Sequence, residues 1–399
     1  MLLEPVFWTA SLIFGWVYIG YPLLVVAIGR LRPIHLEARE PTLSLSVAIA
    51  VHNEAANIAD RIADVFAQEA SGATIREVLV GSDGSTDDTD QIVARLAATE
   101  PRIRLLSLPR RGTTPAQHAM FEAATGDVVL LTDAETRFAP GCLAAIVAAF
   151  RDPRVGCATG QLEWFGEDAT ATSRNEGLYW RYERRVRALE SRAGFLTAGT
   201  GAILAVRRSC YRPVTSTTGM DHLLPLFVLE QRRLVVFVAD AVATDRPISG
   251  LREQFRNRAR TATRGIEANL SMAVRLAPWS HPRAGLAIWS HKILRWATPW
   301  LVLASAGSGA LLAAGGRPLY AIAPAAVAVG GVAAIAAHAI SRTGRKPPRS
   351  IALGRAFAVV NLAFALGWWN VLRGHRIEAW HRAEWRGTAD PARRRSTLP

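Results

Sequence analysis

Early in this 399-residue chain, four acidic side chains stand just after stretches that read as strands. Glu54 follows the strand candidate 44–51 in VHNE, Asp83 follows 78–80 in GSDGSTDDT, and Asp133 and Glu135 follow 128–131 in LLTDAET. In open α/β sheets ligands bind beyond the carboxyl ends of strands, so acids at several such ends can converge on one crevice. Each has a plainer use as well. Asn53 and residues 85–88 could cap the helices that follow, and lone acids are common in loops. Asp133 and Glu135 carry a more specific chemistry. Oxygen-bearing side chains two residues apart in extended backbone point the same way and can hold a hard divalent cation, which could neutralise a diphosphate leaving group.

The elements that must position these acids alternate as in an α/β domain. After the first strand, Ile58, Ile62, Val65 and Phe66 share one helical face; after Asp87, Ile92, Val93 and Leu96 do the same. A strand over 103–108 and a helix from about Thr114 continue the pattern. No repeat period or Gly/Ser linker splits the region, so one nucleotide-binding-like domain is expected over 42–250.

The flanks have a different character. Residues 7–29 form 23 consecutive uncharged positions, which as a helix would span ~35 Å, enough to cross a hydrocarbon core of about 30 Å. Glu4 stands where a signal peptide would be basic and no small-residue cleavage site comes after the apolar run, so 1–32 reads as a retained anchor. Arg30 and Arg32 place the next part of the chain in the cytoplasm. Three further apolar stretches, 296–314, 319–340 and 356–372, make 296–373 a transmembrane region, with a basic tail over 374–399. Arg342, Arg345, Lys346 and Arg349 before the last stretch and Arg373, Arg376, Arg382 and Arg386 after it are both inside-type flanks, which a single crossing cannot satisfy.

The 47 Lys plus Arg against 33 Asp plus Glu leave a net charge of +14, and Lys292 and Lys346 are the only lysines. With half the residues apolar, a disordered chain is excluded. Much of the basic excess lies beside apolar segments and suits anionic lipid or a phosphorylated small molecule. No basic run with interleaved aromatics points to nucleic acid. Arg252, Arg256, Arg260 and Arg264 fall at i, i+4, i+8 and i+12 in a junction segment, 251–295, and could rest on lipid headgroups or face a diphosphate. Cys142, Cys157 and Cys210, odd in number and widely spaced, offer neither a disulfide framework nor a metal pair.

Taken together, these segments resemble the membrane-bound family 2 glycosyltransferases of the non-processive type, and the likeness covers most of the chain. SVAIAVHNEAANI is similar to the family's first strand and Asn-Glu turn, GSDGSTDDT to its nucleotide-binding segment, and ATGDVVLLTDAET to the strand before its Asp-x-Asp metal site. TAGTGAILAVRR resembles the glycine-containing acceptor region, and GMDHLLPLFVLEQRRLVVFVADAVATD the segment carrying the catalytic base. QFRNRARTATRG and WSHKILRWATPW resemble the junction with the membrane. There are departures: Glu135 replaces the usual second Asp, Thr113 and His118 stand where the family often has Lys and Asn, and the Gln-x-x-Arg-Trp motif of processive synthases is absent.

The resemblance implies a GT-A fold: a Rossmann-like mixed sheet with N- and C-terminal transmembrane helices. It also implies an inverting transfer of one sugar from a nucleotide diphosphate donor, UDP-linked by expectation, to a lipid-linked or saccharide acceptor in envelope or exopolysaccharide synthesis at a bacterial inner membrane. Asp221 would be the base. Glu54, Asp83, Asp133, Arg258, Arg260 and Arg264 would line the donor site, Asp133 and Glu135 would hold Mg²⁺ or Mn²⁺, and Gly199 and Gly201 would admit the acceptor. Asp221 could instead only cap its helix, the two glycines could only permit a turn, and His118 could be a packed helix residue. A nucleotidyltransferase and a membrane scaffold with a degenerate transferase domain are the rival readings.

Overall fold

Near-continuous aliphatic runs are what a sheet buried on both faces requires, and three of them form the parallel centre of this one. The computed structural model describes residues 2–41, 43–164, 183–213, 218–245, 251–343, 345 and 347–374; the tail beyond 374, with Arg376, Arg382 and Arg386, lies outside them. The strands are β1 (Leu45–Val51), β2 (Ile75–Asp83), β3 (Ile103–Leu108), β4 (Val128–Asp133), β5 (Arg137–Phe138), β6 (Val155–Trp164), β7 (Leu204–Arg207) and β8 (Leu234–Asp245). They form one sheet in the order β3-β2-β1-β4-β7-β6-β8-β5. β1, β2, β3 and β4 pair in parallel. β7 then enters antiparallel between β4 and β6, and β5 closes antiparallel on β8. This is the mixed α/β sheet expected, with the parallel half carrying the strand-end acids.

Helices cover both faces because successive side chains of a strand point opposite ways. Val47 and Ile49 pack with α2 (Ile58–Ala67), α3 (Thr89–Thr99) and α5 (Cys142–Ala149). Ala48, Leu79, Val129 and Leu131 pack on the other face with α4 (Thr113–Ala123), α7 (Met220–Glu230) and α8 (Leu251–Met272). The three cysteines are free and buried. The helix α6, described over 183–193, lies between β6 and β7 in sequence.

Among the described residues, three helices are long and apolar enough to cross a membrane: α1 (Leu3–Leu31), α11 (Pro318–Arg342) and α12 (Arg349–Leu372). The stretch expected as a span over 296–314 is different. Its helix α10 (Thr298–Ala314) has 17 residues, about 26 Å, and continues a helix α9 (Pro282–Trp296) across a 61° bend. Pro299 in the first turn of α10 is the physical reason, since proline opens a helix but cannot continue one. Both α1 and α9 contain a wider π-type turn, at Trp16–Gly20 and Ile288–Ile293. They meet there, with the Trp16 indole donating to Ser290 Oγ at 2.9 Å.

Candidate active site

The sheet brings the acids to one edge. Asp83 ends β2 and is buried; its Oδ1 accepts the backbone N–H groups of Arg111 (2.7 Å) and Gly112 (3.0 Å), and its Oδ2 accepts from Arg110 Nη1 at 2.9 Å. It therefore fixes the loop that opens α4. Glu54 is also buried. Its carboxylate accepts from Asn57 Nδ2 at 2.8 Å, and its backbone N–H donates to Thr89 Oγ1 at 2.9 Å. Asn53 has a left-handed φ of 56°, uncommon outside glycine but tolerated by Asn. Its Oδ1 accepts the Thr86 N–H at 2.8 Å, so it ties the β1 turn to the β2 turn.

Asp133 ends β4 opposite Ala50 of β1 and is half-buried, as is Glu135. The extended backbone assumed for this pair stops at Asp133. Ala134 and Glu135 form a turn with Ala134 buried beneath it, so the two carboxylates do not share a direction through strand alternation. Among the described residues no group of three or more His, Cys, Asp or Glu side chains could hold a metal. Two carboxylates are too few to hold a metal alone, and a cation there would need substrate phosphate and water as further ligands, as Mg²⁺ commonly takes with one or two carboxylates. Beneath Asp133, Arg61 is fully buried, donates to Thr132 Oγ1 at 2.7 Å, pairs with Asp64 and lies 3.9 Å from the Phe138 ring centroid. Burial pushes its guanidinium down to about 10 despite Asp64. Nothing local in the sequence marks this support.

Opposite the strand ends, Asp221 sits in the first turn of α7 with its side chain about one-third exposed. Burial works against its ionised form, but the His222, Arg264 and Arg260 charges outweigh it and hold the carboxyl below its usual range. His222 Nε2 lies 3.9 Å from Asp221 Oδ2. Burial, with Arg264, pushes the His222 imidazole down in spite of Asp221. The arginine row is helical, as its spacing predicts. Its outer members Arg252 and Arg256 are exposed. Arg260 and Arg264 are half-buried and their charges reach Asp221, while Arg258, before them in the helix, is half-buried as well. Arg264 Nη2 also donates to Thr114 Oγ1 at 3.3 Å.

The two glycines of the expected acceptor loop separate. A Cβ on Gly199 would collide with Leu204 Cδ1, so its bareness serves packing; a Cβ on Gly201 would lie 3.6 Å from Asp221 Cβ, so that glycine borders the carboxylate. Neither has positive φ. Gly219, which no sequence signal marks, borders both charged groups: a Cβ there would collide with Asp221 Oδ1 and lie 2.9 Å from Arg264 Nη2. His118 packs against Tyr211, its Nδ1 beside the hydroxyl.

These contacts run in a chain from Asp83 to Asp133, and β1, paired with both β2 and β4, closes it into a ring. Asp83 holds Gly112, two residues before Thr114; Thr114 meets Arg264 and the Thr218 carbonyl. Arg264 adjoins Asp221, and Asp221 adjoins Gly201. Thr132 Oγ1 then donates to the Ala202 carbonyl at 2.8 Å, immediately before Asp133. Asp221 and Arg264 therefore stand together, facing the acids at the strand ends.

Residues 46–212 match the family model described as Glycosyl transferase family 2. An N-acetylglucosaminyltransferase of Bradyrhizobium elkanii is 32% identical over 136 residues, 33% of this chain and 70% of that protein. One of Mesorhizobium japonicum is 29% identical over 220 residues, 51% of each. The chain thus spans about half the length of several curated relatives it matches. A solved mannosyltransferase of Pyrobaculum calidifontis, described in complex with GDP-Man and Mn²⁺, superposes with a TM-score of 0.68 at 23% identity, covering 93% of this chain and 99% of that one. That likeness establishes a shared GT-A-like fold.

Proposed function

The chain belongs to glycosyl transferase family 2, and we propose that it transfers a single sugar, with inversion, from a nucleotide diphosphate donor to a lipid-linked or saccharide acceptor. The closed ring from Asp83 through Arg264 and Asp221 to Asp133 carries this reading. The rhizobial relatives' name makes N-acetylglucosamine, carried by UDP, the first donor to try.

In this reading Asp83 and Glu54 line the nucleotide side, and Arg264, with Arg260 and Arg258 behind it, faces the diphosphate. Asp221, ionised at neutral pH, takes the proton from the attacking acceptor hydroxyl as the glycosidic bond to the diphosphate breaks. Gly201 leaves room beside it for that hydroxyl. Asp133 and Glu135 would hold Mg²⁺ or Mn²⁺, which when bound supplies charge neutralisation for the departing diphosphate. Fixing donor and acceptor against one carboxylate lowers the entropic part of the barrier, and the arginines stabilise charge that develops on the leaving group.

The apolar helices α1, α11 and α12 support a membrane-bound enzyme, with the sheet domain on the side that Arg30 and Arg32 mark as cytoplasmic. We retain the division into an anchor over 1–32, a catalytic unit over 42–250, a junction over 251–295 and a membrane region over 296–373. Anionic lipid is the expected neighbour of the exposed Arg252 and Arg256.

The decisive test is nucleotide release by detergent-purified protein from a panel of UDP- and GDP-sugars with Mg²⁺ or Mn²⁺ and membrane lipid extract, beside Asp221→Asn. One donor turned over by the wild type and not by the variant is the expected result. Turnover indifferent to Asp221→Asn would remove that residue as base, and failure to bind any donor would favour a scaffold.

A further inference from the structure

The loop Gly199-Thr200-Gly201 borders the base, and with glycine on either side Thr200 offers the one side chain by which it can be held. Its backbone is tied at several points. The Gly199 N–H donates to the Asp221 carbonyl at 3.4 Å, and the Thr200 carbonyl accepts the Ile203 N–H at 3.0 Å. Thr159 Oγ1 of β6 accepts the Thr200 N–H at 3.0 Å and itself donates to the Ile203 carbonyl at 3.0 Å. The Thr200 side chain is held from a different element: Arg187 Nη1 of α6 donates to Thr200 Oγ1 at 2.7 Å. The transfer chemistry leaves Arg187 unused.

Arg187 can hold the loop because its own head is fixed from α6 and the membrane-side helices. Its Nε lies 3.7 Å from Glu183 Oε1, one helical turn back and so on the same face. The second oxygen of that buried carboxylate accepts from Arg295 Nη1 of α9 at 3.0 Å. Arg295 Nη1 also lies 2.7 Å from His291 Nε2. A guanidinium only donates, so Nε2 accepts and the ring proton sits on Nδ1, 2.6 Å from Glu190 Oε1. Glu190 accepts from the Tyr21 hydroxyl of α1 at 2.6 Å as well. A continuous polar framework thus reaches from α1 and α9 through α6 to Thr200, with Arg187 as its last member. The Arg187 side chain is 16% exposed, so water is poorly placed to replace its bond to the loop.

We propose that Arg187 is a positioning residue: it sets the 199–201 loop, and with it the space for the acceptor hydroxyl beside Asp221. This rests on the transferase reading. Full-length protein in detergent is compared as wild type, Arg187→Met, Thr200→Val, Thr200→Ser and the double variant of the first two. Amide hydrogen exchange over 199–203 reads the loop without turnover. Transfer of radiolabel, from the donor that wild type turns over into membrane lipid extract titrated by mass, reads the reaction. Arg187→Met and Thr200→Val should each speed that exchange about tenfold or more and lower the apparent kcat/KM for the extract about tenfold or more, with donor Kd unchanged. Thr200→Ser, which keeps the hydroxyl, should stay close to wild type. The double variant should be no worse than the worse single one, since both changes remove the same bond. Unchanged exchange in both single variants, additive losses, or donor affinity lost in step with transfer, as a merely structural arginine would give, overturns the proposal and leaves the transferase reading intact where wild type turns over a donor. A wild type that turns over no donor overturns the transferase reading and with it any part of Arg187 in transfer, whichever way the exchange falls.

Discussion

Removing the Asp221 carboxylate should separate chemistry from binding. Asp221→Asn keeps the shape of the side chain but cannot take a proton, so kcat should fall by ~10²–10⁴ with donor affinity little changed, as single-turnover kinetics and donor titration would show. The pH dependence is set by its neighbours. Because Arg264 and Arg260 help hold the carboxyl below its usual range, the ionised base persists above that lowered pKa and is lost only as pH falls through it. The acid limb of kcat/KM should therefore lie below the ordinary carboxylate range. Arg264→Gln should move that limb to higher pH, and an unmoved limb would show that another group governs it. Gly219→Ala probes the same spot sterically. Its Cβ would displace Asp221 Oδ1 and Arg264 Nη2, and a misplacement of about 1 Å costs about 10²-fold in rate; unchanged kcat would mean the carboxylate is not held where we place it. Asp83, Asp133 and Asp221 are legible in the chain because hydrophobic runs end just before two of them and a motif carries the third. Arg61 is not. It meets Thr132 and Phe138 only after distant segments fold together, and an arginine in a helix carries no sign of where its head will lie.

At the scale of elements, strand ends are readable and turns are not. The strand 103–108 is legible to the residue, since β3 is bounded by a turn and a loop, whereas the chain leaves β4 at Asp133, two residues before the end of the extended run that a shared direction for Asp133 and Glu135 requires. The bend before α10 is readable in principle from Pro299. What holds the acids in register is less visible: Glu77, buried in β2, accepts from Ser46 Oγ of β1 at 2.7 Å, from Thr125 N–H and Oγ1 before β4 at 2.6 and 2.8 Å, and from Arg104 of β3 at 2.6 Å. Burial opposes its charge, but these hydrogen bonds prevail and lower its pKa. Its stabilisation is thus complete above the unfolded value, about 4.3, and fades as pH drops through the lower folded one. Glu77→Gln removes an acceptor from a four-way clamp and should cost about 1–3 kcal/mol, read as a lower melting temperature in detergent at pH 7 and a smaller difference from wild type in acid. Equal melting of the two proteins at pH 7 would show that backbone pairing alone sets the register.

For the whole molecule, the contacts of α1 with α10 decide which ends share a side of the membrane. The Arg317 guanidinium pairs with Glu4 at 2.7 Å, Tyr320 also meets Glu4, Ser11 meets Ser305 at 2.8 Å, and Tyr18 meets Thr298 at 3.3 Å. As the number rises along one helix it falls along the other, so the two run antiparallel, with residue 4 beside residue 317 and residue 18 beside residue 298. At the other end of the bundle, Asn370 donates to Thr263 Oγ1 at 3.2 Å and Trp368 to the Trp296 carbonyl at 3.1 Å, which fastens the end of α12 to the junction helix α8. Basic flanks on both sides of α12 are the feature the charge pattern leaves open, and this docking gives its carboxyl end a seat on the catalytic side. Arg355, inside α12, is satisfied by Ser341 Oγ at 2.6 Å, so a charge within the apolar stretch does not argue against burial in lipid. If α1 crosses the membrane with Arg30 and Arg32 inside, residues 2 and 315 must both face outward. The native cysteines are buried, which makes introduced ones readable. Leu2→Cys and Gly315→Cys should react with a membrane-impermeant maleimide in intact spheroplasts, and His35→Cys only after lysis. Labelling of Leu2→Cys and Gly315→Cys from opposite faces would break the antiparallel pairing. Labelling of His35→Cys in intact cells would reverse the orientation and put the Asp221 crevice outside, away from any cytoplasmic nucleotide sugar.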